Sequence, residues 1–594
     1  MSLVWAVSLL LTMQLAANPA APQQSKGAIE GTVSRLGGNG EALAQAEVTL
    51  SRVLPPPPTP QPGQPKVEQE EPAPIRPVRT QEDGKFSFKD LDAGQYRLKV
   101  VRNGFATQRY GQRTTFGEGA LITVAAGQTV RNVSVRLQQA ATVSGHVFDS
   151  SGQPITGVLV TLSKSVYNNS GTRGLEQAGT SMTDDRGEYR IFWVPPGRFL
   201  LSASPESRFQ KFGMSPDNLV STRNYARTFY PATTDLERAT PLDMQPGREL
   251  SGMDIVLTMP PVFRIKGMVV SENDGQAPKN VEISLTPRQQ AGRTKFGDDS
   301  SGYDSHYAAG AFEIDGVIPG SYWLRASQSP DWNGPLPPGL GAARTAEDLF
   351  AKAFQSLASA QLAVDIVAAD LDSVKLNLSS GFSIPVRVRV DGQEISSLSR
   401  NDAVRLALWP ADMNNLNSWG GRQGDPLEPD GTTKLESVSP GVYRVWLEER
   451  SVAPDLYVKE ASYEGQDVLN EWWTITTPVH GTLNVVLGNK AGQIEGTLLD
   501  AQSKPVSGAG VVLIPDQSRH RDELYRTADT DESGHFTLRG IVPGTYRIFS
   551  WEDLEPYAYY DKEVLARFEQ QGKPVRIGES SKQDVEVRII PAGR

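Results

Sequence analysis

The sequence predicts an all-β protein, a tandem array of about five Ig-like antiparallel β-sandwiches with one short helical insertion. Three observations predict this fold class: one pattern recurs five times, its apolar residues alternate with period two, and turn residues separate its segments. The pattern is a glycine, apolar residues two, four and seven positions later, and a second glycine at position ten. The glycine pairs are Gly84 and Gly94, Gly187 and Gly197, Gly310 and Gly320, Gly431 and Gly441, and Gly534 and Gly544.

Each copy of the pattern predicts two strands joined by a bend. Apolar residues at positions two and four, such as Phe536 and Leu538, place one face of the first strand on a core. Turns such as DDRG at residues 184–187 precede that strand, because Asp bonds nearby backbone groups and Gly accepts a positive φ. A second alternating strand follows the bend, as in YRIFS at 546–550. We interpret each copy as a β-hairpin-like pair.

Further predicted strands flank each copy. Strands of the form G-x-V come before it, and closing strands such as VSVRL at 133–137 come after it. The fourth copy departs most, since FSIPVRV at 382–388 lacks the glycine and Thr433 stands where the other copies have an aromatic residue. Units of roughly 100 residues are large enough to bury their own cores. The predicted domains are a signal peptide at 1–24 and sandwiches at 25–139, 140–259, 260–379, 380–489 and 490–594.

These motifs resemble those of the carboxypeptidase regulatory-like domain, a transthyretin-like or prealbumin-like β-sandwich. The likeness is carried by IEGTV at 29–33, GQPITGVLVTL at 152–162, TDDRGEYRIFWVPPGRFLLSA at 183–203 and TDESGHFTLRGIVPGTYRIFS at 530–550. The resemblance implies noncatalytic accessory modules of exported proteins. The related Cna B-type domains carry a Lys–Asn isopeptide bond with a K-x-D signature. Here Gly-Met follows Lys266, so we predict no such bond.

The N-terminus predicts export. Residues 4–15 form a short apolar run, and small residues near Ala17, Ala20 and Ala21 suit signal cleavage. The first residues lack Lys and Arg, and a retained hydrophobic anchor is the alternative. The chain has no cysteine, which excludes a lipidated-cysteine anchor and disulfides. We expect a secreted or periplasmic bacterial protein with no membrane span after cleavage.

Charge and motif content limit the function. The chain has 69 acidic and 59 basic residues, a net charge of -10, so nucleic acid is not an expected partner. His520 and Glu523 match half of a zinc peptidase motif, but zinc needs a third protein ligand at an open site. We predict no enzyme activity, no cofactor and no metal. A weak calcium site at the aspartate turns is the alternative.

Insertions interrupt the repeats. Residues 54–77 of unit one are rich in proline and predict a polyproline or disordered loop. Residues 345–364 of unit three carry Leu349, Phe350, Ala353, Phe354 and Leu357 at helical spacing, which predicts the short helical insertion. Residues 559–572 are compatible with another short helix.

Tryptophan gives the candidate binding residues. Five of the ten lie in unit four, and the ligand-binding candidates among them are Trp409, Trp419, Trp472 and Trp473. Trp472 and Trp473 are adjacent, so on a strand one of them points away from the core. Exposed aromatic planes bind sugar rings or peptide strands. A seam between neighbouring sandwiches is the alternative.

The sequence therefore favours a noncatalytic exported multidomain scaffold or binding protein that acts on cell-envelope protein or polysaccharide. One alternative is a hydrolase or carbohydrate-active enzyme with a carboxylate site on loops of units three and four. Another is an accessory protein related to the N-terminal modules of outer-membrane receptors. The oligomeric state stays open.

Overall fold

The computed structural model describes residues 25–37, 39–54, 74–112, 119–168, 171–204, 225–288, 305–328, 358–393, 395, 404–411, 422–424, 427–447, 455–476 and 478–592. The predicted signal peptide, Trp419 and most of the proline-rich loop lie outside these residues. All statements of number or absence below concern the described residues.

The strands fall into five units, each with two sheets. Unit one contains β1 (Gly27–Arg35), β2 (Glu47–Val53), β3 (Val78–Arg79), β4 (Lys85–Leu91), β5 (Gly94–Val101), β6 (Gln108–Arg109), β7 (Ile122–Val124) and β8 (Thr129–Leu137). Unit two contains β9 (Ala141–Phe148), β10 (Leu159–Tyr167), β11 (Arg173–Met182), β12 (Glu188–Val194), β13 (Gly197–Ser204), β14 (Thr228–Phe229), β15 (Leu242–Met244), β16 (Glu249–Leu250) and β17 (Ile255–Val256).

Unit three contains β18 (Phe263–Ser271), β19 (Val281–Pro287), β20 (Ser305–Ala308), β21 (Ala311–Val317), β22 (Gly320–Gln328), β23 (Ser359–Ile366) and β24 (Leu371–Leu378). Unit four contains β25 (Phe382–Val390), β26 (Leu406–Pro410), β27 (Arg422–Gln423), β28 (Thr432–Val438), β29 (Gly441–Leu447), β30 (Tyr457–Tyr463), β31 (Gln466–Asp467), β32 (Trp473–Ile475) and β33 (Leu483–Gly488). Unit five contains β34 (Gly492–Leu499), β35 (Gly510–Pro515), β36 (Arg526–Asp529), β37 (His535–Ile541), β38 (Gly544–Phe549), β39 (Lys573–Ile577), β40 (Lys582–Arg588) and helix α1 (Lys562–Ala566).

Each unit buries its own hydrophobic core between its two sheets. The most enclosed side chains include Ile29, Leu162, Leu324, Leu483 and Leu513, one from each unit. A smaller sixth cluster in unit five lies between β35, β38 and the segment around α1. Separate cores confirm the fold class that the repeated pattern predicts.

In each unit the opening strand pairs in parallel with the closing strand, which unit two divides into β16 and β17. In unit five the first sheet has the order β37-β34-β40, and the second has the order β36-β35-β38-β39. The opening strand β34 is antiparallel to β37 but parallel to the closing strand β40. The other four units repeat this arrangement. The sandwiches are thus antiparallel, as predicted, except where the opening and closing strands meet.

The two strands of each repeated pattern do not form a hairpin, so that interpretation is wrong. Strand β37 bonds to β34, whereas β38 bonds to β35 and β39 in the opposite sheet. Gly540 adopts a φ of 66° just before the buried Ile541, and the chain then passes from one layer to the other. The bend therefore connects the two layers of the sandwich instead of pairing neighbouring strands.

The first glycine of each pattern occupies the turn that the sequence predicts. Its φ is positive in all five copies, between 74° and 91°, a region that side chains disfavour. In unit two, Asp184 Oδ1 accepts the backbone N–H groups of Arg186 (2.9 Å) and Glu188 (2.8 Å). These aspartate oxygens thus hold the turn, which is their structural role.

A glycine–aromatic pair joins the opening strand to the pattern strand. Gly496 on β34 lies opposite Phe536 on β37. A Cβ at Gly496 would lie 2.6 Å from Phe536 Cζ and 2.4 Å from the Val585 carbonyl oxygen. Such distances leave no room for a side chain. The same pairing joins Gly31 to Phe86, Gly145 to Tyr189, and Gly267 to Phe312.

Unit four replaces both members of this pair. Val386 occupies the glycine position, and its cross-strand partner is Thr433. Both side chains are buried. Two mid-sized residues thus fill the space that a glycine and an aromatic ring fill elsewhere, which explains why the two departures in the sequence occur together.

A buried threonine ties the two layers in units one, two and five. In unit two the Thr183 hydroxyl donates to the Ile155 carbonyl (2.8 Å) and accepts the Val158 N–H (2.9 Å). Thr80 and Thr530 make the equivalent bonds. Each threonine lies four residues before the first glycine of its pattern. The hydroxyl therefore satisfies two buried backbone groups at once.

The helical predictions have different outcomes. Residues 345–357 lie outside the described part of the chain. Residues 359–364, however, belong to strand β23, which pairs with β22, so the helix prediction is wrong there. Residues 359–364 form a strand because pairing with β22 stabilises it, and β23 thereby completes the second sheet of unit three. The expected helix within 559–572 is present as α1, capped by Asp561.

Unit five contacts units one and two as well as unit four. A Cβ at Gly171 of unit two would lie 2.6 Å from the carbonyl carbon of Tyr560. Arg173 of unit two forms an ion pair with Glu555 of unit five (3.8 Å). On the side of unit one, Ala120 lies beside Gly508. The last unit is therefore in contact with three others.

We expect Gly496→Val to destabilise unit five by at least about 2 kcal/mol, because the new side chain overpacks the site. Phe536→Thr should cost about 3 kcal/mol through the cavity it leaves. The double variant, which copies the Val–Thr pair of unit four, should lose at least about 1 kcal/mol less than the sum of the two. Urea unfolding of the four proteins measures the coupling, and strictly additive losses would contradict the pairing argument.

We expect Thr183→Val to cost about 1–3 kcal/mol, because valine keeps the shape but leaves a buried carbonyl and N–H unpaired. The matched control is Thr180→Val on the exposed face of β11, with an expected change within about 0.5 kcal/mol. Equal unfolding free energies for the two variants would show that the Thr183 hydroxyl contributes nothing.

Candidate functional site at the junction of units four and five

The structure separates the predicted tryptophans. Trp473 lies on β32, is 4% exposed and packs against Tyr463 with ring centroids 5.0 Å apart. It is a core residue, which corrects its inclusion among the ligand-binding candidates. The adjacent Trp472 is 40% exposed, as the alternation of a strand requires. Trp409 is half-buried and lies 6.1 Å from Trp446.

Arg444 links the tryptophans of unit four. Its guanidinium carbon lies 5.1 Å from the ring centre of Trp446 and 5.8 Å from that of Trp472. Both distances are within the range of cation–π attraction. The side chain projects from β29, where β-strand alternation places Tyr443 and Val445 in the core.

The same guanidinium reaches into unit five. Its Nη1 donates to the His520 carbonyl (3.0 Å) and forms an ion pair with Asp522. Glu523 Oε2 lies 4.0 Å from it. The Arg444 side chain is 11% exposed, so this charge bridge is largely removed from water. A buried pair of this kind costs desolvation, and one of its known uses is to fix a specific arrangement.

A second set of bonds closes the same junction. Arg521 is buried, and it donates to Glu523 Oε1 (2.7 Å) and to Asn470 Oδ1 of unit four (3.0 Å). Ser518 also donates to that amide oxygen (3.3 Å). The 3₁₀ turn at Asp522–Leu524 presents the two carboxylates to unit four.

A charged cluster lies near the linker between the two units. Glu579 of unit five is 3.0 Å from Lys490 and 3.5 Å from Lys459 of unit four. Lys459 also pairs with Asp391. The hydrogen bond from Lys490 is the main cause that lowers the pKa of Glu579. These groups are exposed, so each contributes little stability, but they add contacts across the junction.

His520 takes part in the junction between units four and five. Its ring lies 6.3 Å from that of Trp472, and burial lowers its pKa. Within the described ranges, no three His, Asp or Glu side chains are placed to hold a metal ion. The half-motif formed by His520 and Glu523 is thus occupied with contacts to unit four.

The geometry of Trp472 matches the seam alternative, because its ring faces His520 and Arg444. The aromatic residues were predictable from the sequence but their ionic partner was not, since Arg444 lies on an ordinary-looking strand. Phe192 and Trp193, which are 56% and 49% exposed in unit two, were not among the predicted binding residues. Their signal was available, because the corresponding positions of the other four patterns carry no aromatic residue.

We expect the seam to weaken as the pH falls. The pKa of folded His520 lies below 6.5, so the unfolded chain binds the proton more tightly. The contribution of His520 to the free energy of unfolding is complete above about pH 6.5 and is lost as the pH falls below that value. The free energy of unfolding in urea should therefore fall less between about pH 7.5 and about pH 5.5 for His520→Gln than for the wild type. His535→Gln, outside the seam, is the control, and identical pH dependence in all three proteins would contradict the expectation.

No helix in the described part of the chain is both long and apolar enough to cross a bilayer.

No curated protein sequence is significantly similar to the chain. Among solved structures, the minor pilin GBS52 of Streptococcus agalactiae is 12% identical, with 40% of this chain and 97% of that chain covered and a TM-score of 0.21. A streptococcal ancillary pilin is 11% identical, with 60% and 99% covered and a TM-score of 0.19. The shaft pilin SpaA of Lactobacillus rhamnosus GG is 11% identical, with 40% and 98% covered and a TM-score of 0.16. These scores are too low to support an inference about this chain.

Family models match at three places. The model of the carboxypeptidase regulatory-like domain matches residues 28–138 and 493–552. The model of the second β-sandwich domain of NOMO1-like subunits of the BOS complex matches residues 262–333. These matches fall on units one, five and three. The chain is therefore a tandem β-sandwich protein whose first and last units match the model of the carboxypeptidase regulatory-like domain.

Proposed function

We propose that this protein is a noncatalytic exported scaffold or binding protein that acts through its surfaces on cell-envelope protein or polysaccharide. The observation that carries the proposal is the buried Arg444 bridge, which joins unit four to Asp522 and His520 of unit five. A contact of this kind fixes how two sandwiches sit relative to each other. Fixed spacing between surfaces is what a scaffold needs.

Short linkers support the same proposal. Only residues 138–140 separate β8 from β9, and only residues 379–381 separate β24 from β25. Residues 489–491 connect β33 to β34. Linkers this short limit the orientations that neighbouring units can take. The matched domain families are noncatalytic kinds of module, which agrees with a role in binding or positioning.

Secretion or a periplasmic location belongs to the proposal. It is supported by the apolar run at residues 4–15 and by the small residues near Ala17, Ala20 and Ala21. The domain limits at 25–139, 140–259, 260–379, 380–489 and 490–594 are part of the same proposal. The separate hydrophobic cores of the five units support these limits.

The test combines binding with a search for product. Residues 25–594 are mixed with insoluble peptidoglycan and, separately, with vesicles of outer-membrane protein, and sedimentation measures bound protein. Reducing ends and free amines are measured in the supernatant. We expect the protein to sediment with peptidoglycan or with the vesicles. We expect no release of reducing ends or free amines, because a noncatalytic surface binds its ligand without cleaving it.

Each other outcome counts against the proposal. Release of reducing ends or amines would replace it with the hydrolase alternative, and failure to sediment with either material would remove the binding role. Arg444→Met is the matched variant. It should leave each unit folded but weaken binding that spans units four and five, because Asp522 and Glu523 lose their partner.

A further inference from the structure

Phe192 and Trp193 form an exposed aromatic pair on β12 of unit two. Their ring centroids are 4.9 Å apart and their planes meet at 86°, a T-shaped contact. Both rings are about half exposed to solvent. The pair therefore offers two partly exposed aromatic rings at nearly a right angle.

The backbone conformation at Trp193 makes this aromatic pair energetically unfavourable. Trp193 has a φ of 58°, in the left-handed region that bulky side chains avoid. The equivalent residues, Asp90, Gly316, Ser437 and Gly540, share the positive φ but carry small or polar side chains. The bulge that crosses the layers thus needs no tryptophan. A strained aromatic residue at such a position points to a function.

The residues equivalent to Phe192 in the other units also indicate that the pair has a function. Its equivalents in the other four units are Lys89, Asp315, Glu436 and Arg539, all charged residues suited to water. Unit two alone places two adjacent aromatic side chains at this solvent-facing bulge. The repeats act as internal controls, since they share the local fold and lack the pair.

A groove lies beside the pair. Its volume is about 540 Å³, and its lining includes Gln139, Thr142, Arg190, Arg248 and Glu249 along with the two rings. Arg190 and Glu249 form an ion pair at 3.0 Å, so these two charges largely cancel and Arg248 is the one further charged side chain of the lining. Aromatic faces next to planar amide, guanidinium and carboxylate groups match a ligand with an apolar face and a hydroxyl-bearing edge.

A peptide strand fits this place less well. The backbone N–H of Glu188 already bonds Asp184 Oδ1 (2.8 Å), and that of Arg190 bonds Ser181 Oγ (3.3 Å). Two main-chain N–H groups of β12 are therefore occupied, and strand addition requires such groups to be available. Recognition at this groove falls to side chains.

We propose that Phe192, Trp193 and the adjoining groove bind an uncharged saccharide chain, with a sugar ring stacked on Trp193 and its hydroxyls bonded by Arg190, Glu249 and Gln139. The proposal rests on the proposed binding function and names the polysaccharide class of partner. It also places the site on unit two where it adjoins unit one, away from the tryptophan seam of units four and five.

The test is isothermal titration of residues 25–594 with four probes: cellohexaose, laminarihexaose, mannohexaose and chitohexaose. We expect at least one to bind with a Kd on the order of 0.1 mM. Trp193→Gly should weaken that binding at least about tenfold, because the stacking surface is lost. Its unfolding temperature should stay equal or rise, since glycine accepts the positive φ.

The matched control is Asp90→Gly, which makes the same backbone change at the equivalent bulge of unit one. It should bind as the wild type does. Phe192→Ala, which leaves the Trp193 backbone unchanged, should also weaken binding. Wild-type affinity in Trp193→Gly, or no binding of any probe by the wild type, overturns the inference. If the protein still sediments with envelope material in that case, only this site is wrong; if it does not, the proposed function fails as well.

Discussion

The close approach of an aromatic ring to a glycine in the opening strand is the constraint on which units one, three and five depend. The ring of Phe536 fills the space above Gly496, and the closing strand passes directly behind it. A side chain at Gly496 would overlap both the Phe536 ring and the Val585 carbonyl oxygen of the closing strand. The aromatic residue contributes the buried area, and the glycine makes room for it. Val386 and Thr433 show that the volume of the pair is what has to be kept.

Much of the fold was predictable because it is recorded in local chemistry. Aspartate and glycine marked the turns, and period-two alternation marked the faces of the strands. The layer crossing was not predictable from the pattern around Gly540, since a hairpin and a crossover use the same bend residues. The strand at residues 359–364 was missed for a related reason. These residues form a strand because they pair with β22. Without a pairing strand, apolar residues at this mixed spacing favour a helix.

The candidate site was predictable only in part. Clustering in unit four drew attention to the tryptophans, and adjacency of Trp472 and Trp473 required that they face opposite ways. The partner charges lie some 80 residues further along the chain, at Asp522 and Glu523, so no local pattern connects them to Arg444. Long-range ionic contacts of this kind depend on how units are placed. Comparison among the repeats, in contrast, would have identified Trp193 without coordinates.

The parallel pairing of first and last strands has a consequence for how such a chain grows. Because β1 and β8 run in the same direction, with Arg35 beside Leu137, the polypeptide comes in at one pole of a sandwich and departs from the other. Nine extended residues advance the chain by about 30 Å. A duplicated sandwich can then be spliced between its neighbours while every older one keeps its direction. Gene duplication would lengthen such an array by whole modules, and divergence such as that of unit two could follow in a single copy.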